Sequence, residues 1–477
     1  VITCHNPARA GEVVGSVEVS AAEQVDACVR AAALSQVAWA RTPVAERAAL
    51  LGAAAEALDP LLEEIAELAA RETGKVLGDA RGEAGFATTV LRWYAGRAVE
   101  LLAPRLDDDE RGRLRVRHRP FGVVAAITPW NAPLILAALK VAPALVAGNA
   151  IVVKPSPLAP LAVTRFLETI AAVLPANLVS VVHGEVETVN ALVGHSLVSK
   201  VAFTGGDTAG RAIASLAGRS LTPSVLELGG NDPGILLPDV ELDDPAYERL
   251  LMAAFATSGQ VCMALKRLYV PAPRVEEVVA GLERAAERVL HVGDPLAPGV
   301  TMGPVVSAAS AERVRALVAE ARRAGARVIE IGTVVGDLSQ GHFVRPTLVL
   351  GAGDADPIVA TEQFGPTLPV LAYDSLEEAV ARANSGELGL GASVWSADEE
   401  LAFEVAERLE AGFTFVNTHN RTGMALHAPF GGVKGSGWGR EYGDDGLMEY
   451  VQPCVTHLPG AFRAGSSGLP ANAYPNS

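Results

Sequence analysis

From Gly122 onward, short β-branched or apolar runs alternate with stretches of helical periodicity, and this alternation restricts the fold more than any other feature. VVAAI (123–127), AIVVK (150–154), VSVVHG (179–184) and KVAFTGG (200–206) have the length and punctuation of strands, and helical patterns over 133–147 and 161–173 separate them. A second alternating stretch runs from about Ile235 to Asn417, with strand-like RLYV (267–270), RVIEI (327–331), PTLVL (346–350), LPVLAY (368–373), GASVW (391–395) and FTFVN (413–417). Apolar strands joined by helices imply parallel sheets with right-handed crossovers, an α/β class. At 477 residues the chain exceeds what one simple core holds, so two or three domains are expected.

The first hundred residues read as helical throughout. Ser20 with Glu23 has the spacing of a capping box before a helix carrying Val25, Cys28, Val29 and Ala32. Thr42-Pro43 reads as an N-cap with Pro at the first helical position, opening a helix to about Leu58. Further helices are expected over 60–73 and 78–101. Residues 102–120, with an acidic centre at 107–110 and Leu114 and Val116 alternating with Arg, read either as an exposed hairpin that pairs with another subunit or as a solvated loop. The Gly/Ser/Pro/Asn-rich tail after Phe462 is expected to be flexible.

A formal charge of −16 argues against a nucleic-acid partner, which needs a basic stripe. Apolar runs are interrupted well before the ~20 residues that span a bilayer, and no basic stretch with a following apolar core stands at the start. The four cysteines, Cys4, Cys28, Cys262 and Cys454, are far apart, which suggests neither a disulfide framework nor a zinc site; no metal is expected. A reducing, cytoplasmic setting is the simplest expectation.

Four local patterns carry possible chemistry, each with a plainer alternative. Cys262 follows Thr257-Ser258-Gly259-Gln260-Val261, which suggests a loop entering a helix whose N-terminus would favour the thiolate; a buried structural cysteine is the alternative. Glu227, between apolar residues and ahead of Gly229-Gly230, is costly to bury unless functional or salt-bridged. Asn131 follows the run VVAAI at the sheet end where ligands bind, and its amide suits a developing oxyanion; it also fits a bland turn. The run from Phe203 to Gly210 leads a strand through glycines into a helix, a geometry that can cradle phosphate and is also common without one.

Taken together these residues resemble the aldehyde dehydrogenase superfamily. The matching stretches are PFGVVAAITPWNAPL (120–134), PALVAGNAIVVKPS (143–156), VAFTGG (201–206), LELGGNDP (226–233), SGQVC (258–262), TEQFGP (361–366) and PFGGVKGSGWGRE (429–441), in the family's order over roughly residues 1–460. The resemblance implies a Rossmann-type cofactor domain of residues 1–101 and 120–227, an α/β catalytic domain of 228–442, a small β oligomerisation arm of 102–119 and 443–462, and a tail of 463–477. It also implies a homodimer or homotetramer.

By the same resemblance Cys262 is the nucleophile, Glu227 the general base, and Asn131 with the Cys262 N–H the oxyanion hole. Lys140 and Glu441 match positions that relay the proton. Lys154 corresponds to the lysine on the adenosine ribose, Glu362 and Phe364 to the pair at the nicotinamide ribose and ring. Ile127, Thr128, Trp130, Ser156, Gly205, Gly206 and Leu228 follow the cofactor path. The implied reaction is oxidation of an aldehyde to an acid with NAD, through a thiohemiacetal and a thioester on Cys262 that water hydrolyses. Pro157 stands where many NAD-preferring members carry a glutamate, so NADP use stays open, and Gly206 stands where many carry serine. Ala132, Leu136, Leu139 and Met424 suggest a roomy apolar tunnel for a medium-chain or aromatic aldehyde. Thr418, His419, Asn420, Arg421 and His427 put polar groups near its entrance, where Arg421 is either a carboxylate anchor or a solvated loop arginine. The competing functions are a CoA-acylating dehydrogenase, a cysteine hydrolase using His419 or His427, and a catalytically silent scaffold.

Overall fold

The computed structural model describes residues 1–463. Two sheets dominate. The six-stranded one has the order Gly437–Trp438, Ser224–Glu227, Val198–Thr204, Val123–Ile127, Ala150–Lys154, Val179–Val181. Its pairings are parallel except for Gly437–Trp438, which returns antiparallel from the C-terminal region and sets Gly437 opposite Glu227. All five residues of Val123–Ile127 and of Ala150–Lys154 are buried, as expected of strands covered by helices on both faces. The helices Pro133–Ala147 and Leu161–Val173 have the bounds expected from the sequence.

The seven-stranded sheet has the order Arg327–Glu330, Thr347–Leu350, Thr367–Tyr373, Leu265–Pro271, Asp232–Leu236, Gly391–Trp395, Phe413–Val416. Only its edge strand Arg327–Glu330 is antiparallel. Separate apolar clusters cover its two faces. A third sheet pairs Arg105–Asp109 with Gly112–Pro120, as the hairpin reading expected, and adds Val451–Pro459 on the other side of the arginine-rich strand. Gly443–Met448, before it, is a short helix.

Three expectations for the N-terminal region need correction. The chain opens with an antiparallel hairpin, Ile2–Asn6 with Arg9–Val17, rather than a helix. Ser20 caps nothing: its Oγ accepts from the His183 N–H at 3.0 Å, while the first turn of helix Ala22–Trp39 is closed by Gln24 Oε1 accepting from the Ala21 N–H at 2.7 Å. One residue's shift in helix start moves the box from Ser20/Glu23 to Ala21/Gln24. Likewise Pro43, not Thr42, is the N-cap of helix Val44–Leu58, because Thr42 Oγ1 donates back to the Ala38 carbonyl. The expected tail falls almost wholly outside the described residues.

Two buried glutamates act as helix caps beside the six-stranded sheet. Glu72 accepts from the N–H groups of Leu161 and Ala162 at 2.8 and 2.9 Å. Glu83 accepts from Leu134 N–H at 2.8 Å and is also paired with the buried Lys75. Carboxylates at helix N-termini satisfy donors that the helix leaves open. The Glu83 cap orients helix Pro133–Ala147, which carries Lys140 and follows Asn131. Glu83→Ala leaves Lys75 buried without its counter-charge, so stability should fall by about 3 kcal/mol or more, and Lys75→Met/Glu83→Gln should recover much of it. Thermal unfolding of the three proteins under matched conditions reads this out; a loss below about 1 kcal/mol for the single variant contradicts the cap.

Candidate active site

The two sheets present opposite ends to one cavity of about 400 Å³, whose lining includes Asn131, Thr204, Glu227, Leu228, Cys262 and Glu441. Glu227 is the last residue of its strand in the six-stranded sheet. Cys262 sits in a turn just ahead of Leu265–Pro271 in the seven-stranded sheet. The helix expected after Cys262 is absent: MALKRLYVP leads into a strand. The approach to the cysteine is instead a left-handed stretch, with Thr257, Ser258 and Gly259 at φ of 53°, 58° and 71°. Such angles are strained for Thr and Ser. Ser258 Oγ donating to Gly303 O at 2.8 Å and Gln260 Oε1 accepting from Val306 N–H at 2.9 Å hold them there. Gly259 is required: a Cβ would collide with the Gly365 carbonyl oxygen.

Without a helix terminus to favour its anion, the Cys262 thiol is pushed up to about 12, first by burial and then by the nearby carboxylates of Glu362, Asp232 and Glu227. Lys266 opposes this. Its Nζ donates to the carbonyls of Val261 and Cys262 at 2.7 and 2.8 Å.

Glu227 is buried, and neither carboxyl oxygen has a hydrogen-bond partner among the described residues. Burial, then the charge of Glu441, raises it well above the ordinary carboxylate range. Gly431 makes room for it, since a Cβ there would meet Glu227 Oε1 at 2.8 Å. Lys140, fully buried, donates to Glu441 Oε1 at 2.5 Å and to Thr204 Oγ1 at 2.6 Å. Asn131 Nδ2 donates to the Gln260 carbonyl at 3.0 Å, which fixes the amide beside the cysteine turn and leaves its second N–H for another acceptor.

The residues expected along the cofactor path lie outside this cavity, with the exception of Leu228. Lys154 ends its strand, is buried, and is pulled down to about 8 by that burial. Its Nζ has no protein acceptor among the described residues. Thr128 Oγ1, one residue past the end of Val123–Ile127, is also buried and unpartnered. Polar groups left unsatisfied at the C-terminal ends of parallel strands fit a hydroxyl- and phosphate-bearing ligand. Gly206 caps helix Asp207–Arg219, and its Cβ position is open space. Gly205 is confined by the Phe203 ring, 2.5 Å from where a Cβ would be. Glu362 Oε1 accepts from Gly230 N–H at 3.1 Å and lies 3.8 Å from Lys266 Nζ. Trp130 meets Phe364 edge to face with centroids 5.6 Å apart. Ile127 is buried beneath, and Ser156 Oγ accepts from Leu158 N–H at 3.3 Å.

Ala132, Leu136 and Met424 line the cavity as expected; Leu139 does not, being packed in the core. Of the entrance loop, Asn420, Arg421 and Thr422 line it, whereas Thr418, His419 and His427 do not. His419 is fully buried elsewhere, with Nδ1 2.7 Å from Ser393 Oγ and Nε2 3.4 Å from Asp232 Oδ2. Sequence reasoning missed Lys266, Thr204 and the Asp232–His419 pair. The signal available for the last was two ionisable residues placed in apolar or small-residue surroundings.

The aldehyde dehydrogenase family model matches residues 1–455. The phenylacetaldehyde dehydrogenase of Pseudomonas fluorescens is 40% identical over 94% of this chain and 91% of its own length. The geranial dehydrogenase of Castellaniella defragrans is 37% identical over 94% of each. Among solved structures, a cysteine-to-alanine variant of aldehyde dehydrogenase C of Pseudomonas syringae, in complex with NAD+ and octanal, matches with a TM-score of 0.90 at 34% identity, over 97% of this chain and 94% of that one. An NAD-dependent aldehyde dehydrogenase of Sinorhizobium meliloti matches with a TM-score of 0.92 at 32% identity, over 99% and 93%. With Cys262, Glu227 and Asn131 gathered at one cavity and these likenesses spanning nearly the whole chain, the protein belongs to the aldehyde dehydrogenase family and is an NAD(P)-dependent oxidoreductase acting on aldehydes.

Proposed function

We propose that this enzyme oxidises an uncharged medium-chain or aromatic aldehyde to the free carboxylic acid through a thioester on Cys262. The observation that carries the reading is the convergence of Cys262, Glu227 and Asn131 on a single cavity whose remaining walls include Phe86, Ile135, Leu136, Met263, Met424 and Phe430. The relatives that act on phenylacetaldehyde and geranial, and the neighbour holding octanal, support the substrate class.

In this mechanism Cys262 first loses its Sγ proton to water in the cavity and then attacks the carbonyl carbon as the thiolate, and the oxyanion is held by the free N–H of the Asn131 amide and the backbone N–H of Cys262. NAD(P)+, when bound, supplies the acceptor for the hydride that leaves that carbon. Lys154, Ser156, Gly205, Gly206, Leu228, Glu362 and Phe364 would hold it, with Ile127, Thr128 and Trp130 along its path. Glu227 then takes a proton from the water that attacks the thioester. Glu441 and Lys140, joined to Thr204, form the buried route by which that proton departs. Burial opposes ionisation of both Cys262 and Glu227, so each must give up a proton before it acts.

Glu227 separates this reading from a CoA-acylating enzyme, which needs no carboxylate to activate water. The burial of His419 against Ser393 and Asp232 separates it from a cysteine hydrolase, which needs an imidazole at the thiol. The domain division stated above, and a dimer or tetramer built through the sheet of Gly112–Pro120 and Val451–Pro459, belong to the same proposal, as does a preference for NAD with NADP tolerated because Pro157 brings no carboxylate.

Glu227→Gln should lower steady-state kcat at least ~100-fold while a single turnover of reduced cofactor survives. Stopped-flow absorbance distinguishes the two, and loss of the burst together with the steady state contradicts the assigned role. Because a carboxyl with a raised pKa is protonated below that pKa and cannot act as base, kcat should rise with pH through a value above the ordinary carboxylate range, and this limb should disappear in Glu227→Gln. In the cofactor-free protein, alkylation of Cys262 by iodoacetamide should keep accelerating with pH beyond about 9, since the thiolate forms late. A plateau reached by pH 7 rules out the neutral resting thiol.

A further inference from the structure

Apart from Glu227, the acidic and basic side chains of the cavity wall are paired: Lys75 with Glu83, and Glu441 with Lys140 behind it. At the mouth stands a third pair. Arg421 Nη2 donates to Asp79 Oδ1 at 2.7 Å, with the two side chains 39% and 15% exposed. Arg421 belongs to the short turn Asn420–Gly423, and Asp79 to the first turn of helix Leu77–Leu101, so the pair crosses the opening between loop and helix. Gly78 and Gly82 lie on that same helix beside it, with open space where a Cβ would stand.

The contact is made at one point only. Beyond Asp79, the guanidinium touches Met252 Sδ at 3.3 Å, and its Nε and Nη1 have no acceptor among the described residues. An arginine normally uses its planar fork to hold a carboxylate with two parallel hydrogen bonds. Here that fork is left open while its charge is cancelled.

We propose that Asp79 determines specificity at the cavity mouth by neutralising Arg421, so that uncharged aldehydes are admitted and aldehydes ending in a carboxylate are turned away. A second carboxylate arriving at Arg421 meets the one already there, and repulsion between them offsets the attraction of the guanidinium. With Asp79 replaced by a neutral residue, the same open fork becomes a carboxylate anchor. This inference rests on the reading of the cavity as the aldehyde site.

The test compares kcat/KM for n-alkanals of four, six and eight carbons with that for the ω-oxoalkanoates of equal length, each with NAD+. The quantity read is the ratio of oxoalkanoate to alkanal. Wild type should favour the alkanal, and Asp79→Asn should raise the ratio at least tenfold at one or more chain lengths. Asp79→Asn/Arg421→Gln should return it to within threefold of wild type. Thermal shifts of the cofactor-free proteins with adipate give a second readout: Asp79→Asn should be stabilised more than either wild type or the double variant.

An unchanged ratio and an unchanged adipate shift in a folded Asp79→Asn protein overturn the proposal. So does a tenfold fall in the ratio on Arg421→Gln alone, because Arg421 would then already hold the carboxylate; this second route stands even where Asp79→Asn does not fold. A wild type that prefers oxoalkanoates to alkanals sinks the underlying substrate reading instead, and so is told apart from failure of the Asp79 assignment.

Discussion

The ion pair of Lys140 with Glu441 joins the two halves of the site. Lys140 comes from the helix that follows strand Val123–Ile127 of the six-stranded sheet, and Glu441 from the glycine-rich segment that reaches that sheet from the far end of the chain. With both side chains out of water, neither charge is tolerable without the other. Their pairing fixes the approach of residues 429–441 to the end of strand Ser224–Glu227. Gly437 continues that approach: its φ of 112°, and a Cβ position that would overlap the Leu226 carbonyl oxygen, exclude any side chain. The strand pairing of Gly437 with Glu227 then closes one wall of the cavity.

The site is therefore assembled from ends rather than from one element. Glu227 terminates a strand of one sheet, Cys262 precedes a strand of the other, and Asn131 stands in the turn ahead of a helix whose terminus a distant glutamate caps. Each of these side chains takes its position from a rigid element and stands at the turn that ends or precedes it. The strained turn Thr257–Gly259 belongs to this pattern, with strain held in place by hydrogen bonds to a neighbouring loop.

Much of this was legible in the amino-acid sequence, and for definite reasons. Strands buried on both faces must be apolar, so VVAAI and AIVVK announce themselves, and the helix between them is bounded by Pro133 and Gly148. The motifs around Cys262, Glu227 and Asn131 carry enough glycine and proline to be recognisable in order. The opening hairpin was not legible, because ITCHN and RAGEVVGSV alternate weakly and lack an Asn-Gly or Asp-Gly turn. Nor was the turn at Cys262, since Ser-Gly-Gln reads equally well as a helix entrance. A contact between residues far apart, such as Arg421 with Asp79, leaves no local trace of its partner.

The upward shift of the Cys262 thiol by its surroundings has a bearing on durability. Peroxides and other oxidants attack thiolates, and progress from sulfenic to sulfinic acid depends on how much of the anion is present. A thiol whose ionisation is opposed in this way is a poor target for such chemistry. The surroundings that oppose its ionisation thus also disfavour its oxidation.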